Sequence, residues 1–537
     1  MAASTADRRE RIALLLLQIG AIAIVLAAVP YKTFDLDRFF VPKELILHAT
    51  AIGAALLCVT GRRRLSITGA DGLLLAFLIL STASAVMAQN WWLAGRAVAM
   101  SVSGVLLFWV GLTMRRAGLL RSLLIAIAIA VVVGALTALV QAYAGATTDY
   151  FSLNRAPGGT FGNRNFMAHL AAIGTPAVVI AALSARSKPG FLLGAIGSVI
   201  LAAALVLSRS RAAWLALIVA AVVVCGIALA TRVSISGGRT WGRLRILAAA
   251  AALGALAAAF LPNRLEWKSD SPYLDSVLGV VNYRGGSGAG RLVQYTTSLH
   301  IAMAHPVLGV GPGNWPVAYP KYAARGDQSL AVDQGMTDNP WPSSDWVAFV
   351  AERGFLATAC LALALMALVV RAIRDLRRGR GDGDLERSTA ALMLVGTITT
   401  AVVVGLFDAV MLIAVPTLFF WLLAGVLAPP VDGKRTITTG VREFAPAILV
   451  GVGVLAIGRS AMQIAAMSAY SSSSKLSAIE TAAKLDPANY RIRMRLADAY
   501  VARGDCTRAA AHARAAKRLF PNAVDPSGVL RRCGVKS

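Results

Sequence analysis

The sequence predicts an all-α integral membrane protein with about 12–13 transmembrane helices, and three observations carry that expectation. Of the 537 residues, 57% are hydrophobic and only 15% charged, with a mean hydropathy of +0.66. That balance is far more apolar than a soluble chain of this length shows. Apolar runs of roughly 17 to 25 residues recur from Ile12 to Met467, each able to cross a hydrocarbon core of about 30 Å at about 1.5 Å per helical residue. Basic clusters also fall in every second loop between these runs, as the positive-inside rule expects of cytoplasmic loops.

Taken in order, the first run, Ile12–Pro30, follows Arg8, Arg9 and Arg11 as a signal peptide would. Further spans follow it without a clear small-residue cleavage site, so it reads as a retained helix. The next spans are expected near Leu45–Val59, Leu73–Ala88, Ala97–Met114, Leu123–Tyr143, Phe166–Leu183 and Phe191–Leu207. The remainder fall near Ala212–Thr231, Ile246–Leu261, Val347–Val370, Ala390–Leu406, Val410–Leu427 and Pro446–Met467. Three outward loops have substance, Tyr31–Glu44, Gly145–Arg164 and Pro262–Asp345, and a short outward turn carries Ser208-Arg209-Ser210-Arg211. The expected organisation is a transmembrane bundle over 1–261, a large loop domain over 262–345, further transmembrane helices over 346–470 and a helical tail over 471–537.

The formal net charge of +26 raises nucleic acid as a partner, but the location of the charge removes it. The basic clusters are Arg62-Arg63-Arg64, Arg115-Arg116 with Arg121, Arg186-Lys188, Arg232 to Arg245, Arg371 to Arg387, and Lys434-Arg435 with Arg442. These mark the cytoplasmic side and put the N-terminus there. The loop from Pro262 to Asp345 holds six basic and seven acidic residues, which places it on the periplasmic or extracellular side.

Cys58, Cys225 and Cys360 lie in apolar spans without metal-ligand spacing and read as small buried hydrophobes. Cys506 and Cys533 lie in the tail, on the expected outer side, where two cysteines permit a disulfide without requiring one. After Ser471 the composition shifts to Ala, Arg, Lys and Asp at helical spacing. The run Ala482 to Pro487, Leu496 to Tyr500, Gly504-Asp505, Ala509-Ala510, Ala515 and Pro521 resembles a tetratricopeptide repeat. One repeat with fragments is fewer than the roughly three a free-standing solenoid needs, so this tail leans on the membrane domain or on a partner. A generic helical hairpin is the other reading.

Arginines on the side where the positive-inside rule disfavours them need a reason. Arg209 and Arg211 are such residues. Either their planar forks bind phosphate of a lipid headgroup at the interface, or they snorkel or pair at a helix end. Arg164, within Gly162-Asn163-Arg164-Asn165, poses the same choice, and the amides around it, Asn165 included, either bind sugar hydroxyls or cap the helix that follows. Gly288-Ala289-Gly290-Arg291 precedes an amphipathic stretch and then His305-Pro306-Val307-Leu308-Gly309-Val310-Gly311-Pro312-Gly313-Asn314. This glycine-rich segment lacks the strand-to-helix context and the Lys-Ser/Thr ending of a nucleotide-binding loop.

Four segments occur in order: Phe34 to Lys43, Gly159 to Asn165, Ser210-Arg211-Ala212-Ala213-Trp214, and Gly290-Arg291 through His305-Pro306 to Gly311. Together they resemble the signature segments of the O-antigen ligase and polymerase family, which includes bacterial protein O-oligosaccharyltransferases. The resemblance implies a metal-independent, cofactor-free glycosyltransferase of the bacterial inner membrane. Its donor is a glycan on undecaprenyl diphosphate, and its acceptor is lipid A–core, another lipid-linked glycan or a protein. Arg211 and Arg291 match family arginines suited to stabilising the departing diphosphate. The family often has a His followed by Asn, Ser or Gln, nine residues and a Gly, and here that spacing runs Ser343, Ser344, nine residues, Gly354. The histidine position is therefore Ser343, whose hydroxyl is a poor base.

His305, Asp345 and Glu352 are the candidates to replace that base. His305 leads, because histidine is the side chain type whose ordinary titration falls nearest working pH and its turn is expected to direct it toward Arg291. Each also has a structural reading: His305 caps or packs beside Pro306, Asp345 is the N-cap of the tenth span, and Glu352 pairs with an arginine of a neighbouring span. The catalytic set is thus Arg211, Arg291 and His305, and the substrate-binding set Arg164, Asn165, Arg209, Ser343, Ser344 and Asp345. Partners are the lipid-linked donor, a glycolipid or protein acceptor, membrane lipid and envelope-assembly proteins reached through the tail. Two rival functions remain: a non-catalytic family member that binds lipid-linked glycan, and a transporter. The transporter is disfavoured by the scarcity of intramembrane acids, of which Asp408 is the clearest, and by the lack of an inverted repeat.

Overall fold

The computed structural model describes residues 6–61, 69–145, 148–151, 155–232, 238–267, 269–281, 286–331, 335–378, 385–429 and 439–535. Among these the regular structure is helical, with no strand beyond an isolated bridge between Leu330 and Thr337. In chain order the bundle begins with α1 (Arg8–Leu26), α2 (Asp37–Val59), α3 (Gly69–Val86), α4 (Trp91–Arg116), α5 (Leu120–Leu139), α6 (Arg164–Leu183), α7 (Lys188–Ser208), α8 (Arg211–Ala230) and α9 (Gly238–Phe260). The large loop folds as α10 (Pro272–Val281), α11 (Gly286–Ala304) and α12 (Trp315–Tyr322). The bundle resumes with α13 (Asp345–Arg378), α14 (Leu385–Phe407), α15 (Ala414–Leu427) and α16 (Thr439–Ser472), and the tail is α17 (Leu476–Leu485), α18 (Tyr490–Val501), α19 (Cys506–Leu519) and α20 (Asp525–Arg532).

Eleven helices among the described residues are long and apolar enough to cross a membrane. Two further bundle helices match expected spans: α1, with a charged first turn, and α15, with only 14 residues. Every residue of α15 is buried. Small residues let it approach α4 backbone to backbone, since a Cβ on Gly425 would lie 2.1 Å from Phe108 O and one on Gly111 2.8 Å from Leu422 O. Its expected start at Val410 is instead an irregular segment, which such depth tolerates only where protein satisfies the backbone. The buried Asp345 carboxylate does this, accepting from Val410 N at 3.0 Å and Met411 N at 2.9 Å.

The described basic clusters gather at one end of the bundle. There Arg115 donates to Val426 O, Arg243 donates to Leu183 O, and Arg387 pairs with Asp375. Arg62 to Arg64 and Lys434-Arg435 lie outside the described residues. The opposite end carries the large loop and the tail. The tail's core includes Phe34, Val41, Ala466 and Met467 of the membrane domain, so the tail leans on the bundle as its small size requires. Arg491 pairs with Asp35 at 2.6 Å, and Asn522 donates to Val317 O at 3.2 Å. Cys506 and Cys533 form a disulfide that ties α19 to the end of α20. Cys58 is buried as expected, but Cys225 is exposed on the outer surface of α8, where an apolar side chain faces lipid without cost.

The expected loop domain is fused to α13 through its glycines. At Gly354 the helix breaks with φ 79°, and a Cβ there would lie 2.2 Å from Val307 O. The break frees carbonyls of the preceding turn, so that Val310 N donates to Ala351 O at 3.0 Å and Gly311 N to Glu352 O at 2.9 Å. The spacing from Ser343 to Gly354 is thus the short helical piece between the outer loop and this break.

Candidate functional site

The site is assembled at the loop-bearing end from the first turns of α6 and α8. Asn163 caps α6 by accepting from Asn165 N, which leaves Arg164 at the helix's first position. Arg211 holds the same position in α8, after Ser210. Both helix N-termini carry partial positive charge, and the arginines add full charges to it. Arg164 lies within electrostatic range of Arg155, Arg209 and Arg211, so the turn before α8 and the loop before α6 converge. Helix α10 covers this group. Arg211 donates to Gly279 O, while Arg209 stacks on Trp267 at 4.2 Å and reaches Pro272 O at 3.5 Å. Burial lowers the Arg209 pKa against the opposing pull of Tyr273 and Asp275, and the guanidinium stays charged in a partly dry setting.

A second group adjoins it along α6. Asn165 and His169 occupy one face, and both meet Asp408 at the end of α14, with Asn165 Nδ2 3.4 Å and His169 Nε2 3.7 Å from Asp408 Oδ2. Asp408 Oδ1 also accepts from Ala409 N at 2.9 Å. Its carboxylate keeps 15% exposure, whereas His169 is fully buried. Arg291 lies within electrostatic range of His169. One turn further along α11, Gln294 Oε1 accepts from Ser343 N at 2.6 Å, and Tyr295 Oη sits 2.7 Å from the carbonyls of Ser343 and Leu406. Arg291, Ser343 and the end of α14 are therefore neighbours, because a single helix face carries residues 291, 294 and 295.

Of the residues singled out from the sequence, the fold brings Arg164, Asn165, Arg209, Arg211, Arg291 and Ser343 to one end of the bundle. Ser344 and Asp345 are buried in scaffold bonds: Ser344 Oγ donates to Gly405 O at 2.9 Å and accepts from Val347 N, and Asp345 holds the segment before α15. Asp345 opens α13 as expected, but Ser344 makes the capping bond. The expectation for His305 is corrected. It follows Arg291 by 14 residues, and α11 runs unbroken through 13 of them, which separates the pair by on the order of 20 Å. His305 Nε2 lies instead 3.3 Å from Tyr322 Oη at the far end of that helix. Glu352 pairs not with an arginine of a neighbouring span but with the next residue, Arg353, at 3.9 Å, and its Oε1 accepts from Trp315 N.

His169 and its contact with Asp408 were missed in the sequence, where 239 residues separate them and His169 reads as one polar residue in an apolar helix. The signal present was Asp408 itself, an acid at a span edge.

No curated protein matches the chain. Residues 196–362 match the family described as O-antigen ligase, a stretch that includes Arg209, Arg211, Arg291, Ser343 and the Gly354 break.

Proposed function

We propose that the protein is a glycosyltransferase that moves a glycan from undecaprenyl diphosphate onto an acceptor hydroxyl of lipid A–core, a second lipid-linked glycan or a protein. The reaction takes place on the periplasmic face of the bacterial inner membrane. The observation that carries this reading is the meeting of Arg164, Arg209 and Arg211 with the Arg291–Asp408 group at the loop-bearing end. The acceptor oxygen attacks the anomeric carbon as the bond from that carbon to the diphosphate oxygen breaks. The diphosphate leaves with the bonding electrons, and fixed guanidiniums stabilise its charge. Asp408 takes the proton from the acceptor oxygen, oriented by Asn165 and backed by His169. Ser343, at the family's histidine position, supplies no base and is held by its backbone.

The test uses protein purified in lipid vesicles with an undecaprenyl-diphosphate glycan and a lipid A–core acceptor, with and without EDTA. Transfer by the wild type in both conditions, with loss in Arg211→Ala, Arg291→Ala and Asp408→Asn, is the expected result. Ser343 also favours a second reading, a glycan-binding protein without turnover. Wild-type inactivity with transfer gained in Ser343→His would establish it.

A further inference from the structure

Resting on the transfer reading, we propose that the cavity between the bundle and the tail is the acceptor site, and that it takes the hydroxyl-rich, non-anionic end of a glycan. The cavity holds about 390 Å³, within the range of sites for small molecules and sugar units. Its walls come from the starts of α2 and α4, the loop before α13 and the segment before α15, and the tail completes it with Asn489, Arg491 and Phe520.

Two features select the occupant. The first is charge: Asp35, Asp37, Glu44, Asp338 and Glu352 line the cavity with Arg96 and Arg491, while Arg353 stands against Glu352 and Arg459 within electrostatic range of Glu44 and Asp37. Arg96 is bound by Glu44 at 2.5 and 2.9 Å and by Asp37 at 3.4 Å, and Arg491 by Asp35 at 2.6 Å, so both lining cations are already engaged and Asp338 repels an anion. The lipid diphosphate thus belongs to the arginine group and not here. The second is surface: Phe40, Trp341 and Phe520 offer flat apolar faces beside hydrogen-bonding groups, the combination that an alternately polar and apolar sugar ring fits.

The cavity also adjoins the reacting groups. Phe40 and Trp341, both lining it, pack on Phe166 at 5.5 and 6.3 Å, and Phe166 follows Asn165 in α6. An acceptor seated against Trp341 therefore projects toward Asp408 while the donor diphosphate stays on the arginines. The tail becomes a specificity element whose residues touch the acceptor.

The experiment uses the full-length protein in nanodiscs and bead-displayed oligosaccharides of two to four residues in three sets: neutral, amino-sugar and uronic acid. Members of the neutral or amino sets should bind and the uronic acids should not. Asp338→Lys and Arg491→Ala, at exposed positions that leave the cores intact, should each weaken that binding about tenfold. Polyprenyl diphosphate binding should be unchanged in both variants. Binding of uronic acids as tight as of neutral sugars, binding of no set, displacement of bound sugar by polyprenyl diphosphate, or unchanged binding in both variants overturns the proposal. Capture of a serine-rich peptide in place of every sugar overturns it too. Sugar binding without transfer by the wild type defeats the transfer reading alone. Transfer with an unchanged acceptor KM in both variants defeats this one alone.

Discussion

Replacing Asp345 separates scaffold from chemistry. Its side chain has no solvent exposure, and its Oδ2 accepts from the amides of both Val410 and Met411, while Oδ1 is also 3.0 Å from Val410 N. In Asp345→Ala both buried amides lose their acceptor. At about 1–3 kcal/mol for each unsatisfied donor, the cost is about 2–6 kcal/mol, a large part of the ~5–15 kcal/mol that holds an ordinary domain together. Asp345→Asn keeps an oxygen at the Oδ2 position and retains both bonds, so it should fold and transfer nearly as the wild type does. Asp408→Asn should do the reverse, keeping stability while losing on the order of 10²- to 10⁴-fold in rate. Thermal unfolding of each purified variant, read by fluorescence-detected size exclusion, is measured beside in-vitro transfer. Wild-type stability in Asp345→Ala would refute the reasoning, and so would loss of transfer in a well-folded Asp345→Asn.

Arg211→Ala and Arg291→Ala should lower transfer by roughly 10²-fold or more without loss of folded protein, with Lys restoring little because it lacks the planar fork; full activity in both would make these arginines structural. His305→Ala should leave transfer unchanged, and a large rate loss would contradict the separation imposed by α11. Gly354→Ala should reduce the yield of folded protein, because a side chain there meets the Val307 carbonyl and φ 79° strains any L-residue; normal yield would refute it. Burial lowers the His512 pKa, so the unfolded tail binds the proton first as pH falls below about 6.5, and the tail should lose stability there, not gain it; protease protection of α19 that is equal at pH 5.5 and 7.5 would refute this. Impermeant labelling of a cysteine placed at 475 in intact spheroplasts tests the outward tail, and protection would reverse that orientation.

The sequence by itself determined the membrane class and almost every span, since the length and apolarity of a crossing helix are local properties that no tertiary partner needs to supply. It also drew attention to Arg164, Arg209 and Arg211, because charge at a span edge is costly enough to stand out in one dimension, and to Arg291 only through the resemblance of its loop segment to a family motif. The Val410 boundary failed: a buried irregular segment there depends on Asp345, 65 residues earlier, to satisfy its amides. His305 failed for the converse reason, as proximity to a glycine turn in sequence said nothing about a straight helix carrying it away from Arg291. His169 beside Asp408, the Gly354 break filled by the loop, and the cavity closed by the tail all join segments far apart in the chain. Only tertiary packing decides such contacts, since hydrogen bonds and close approaches of this kind leave no periodic trace in composition.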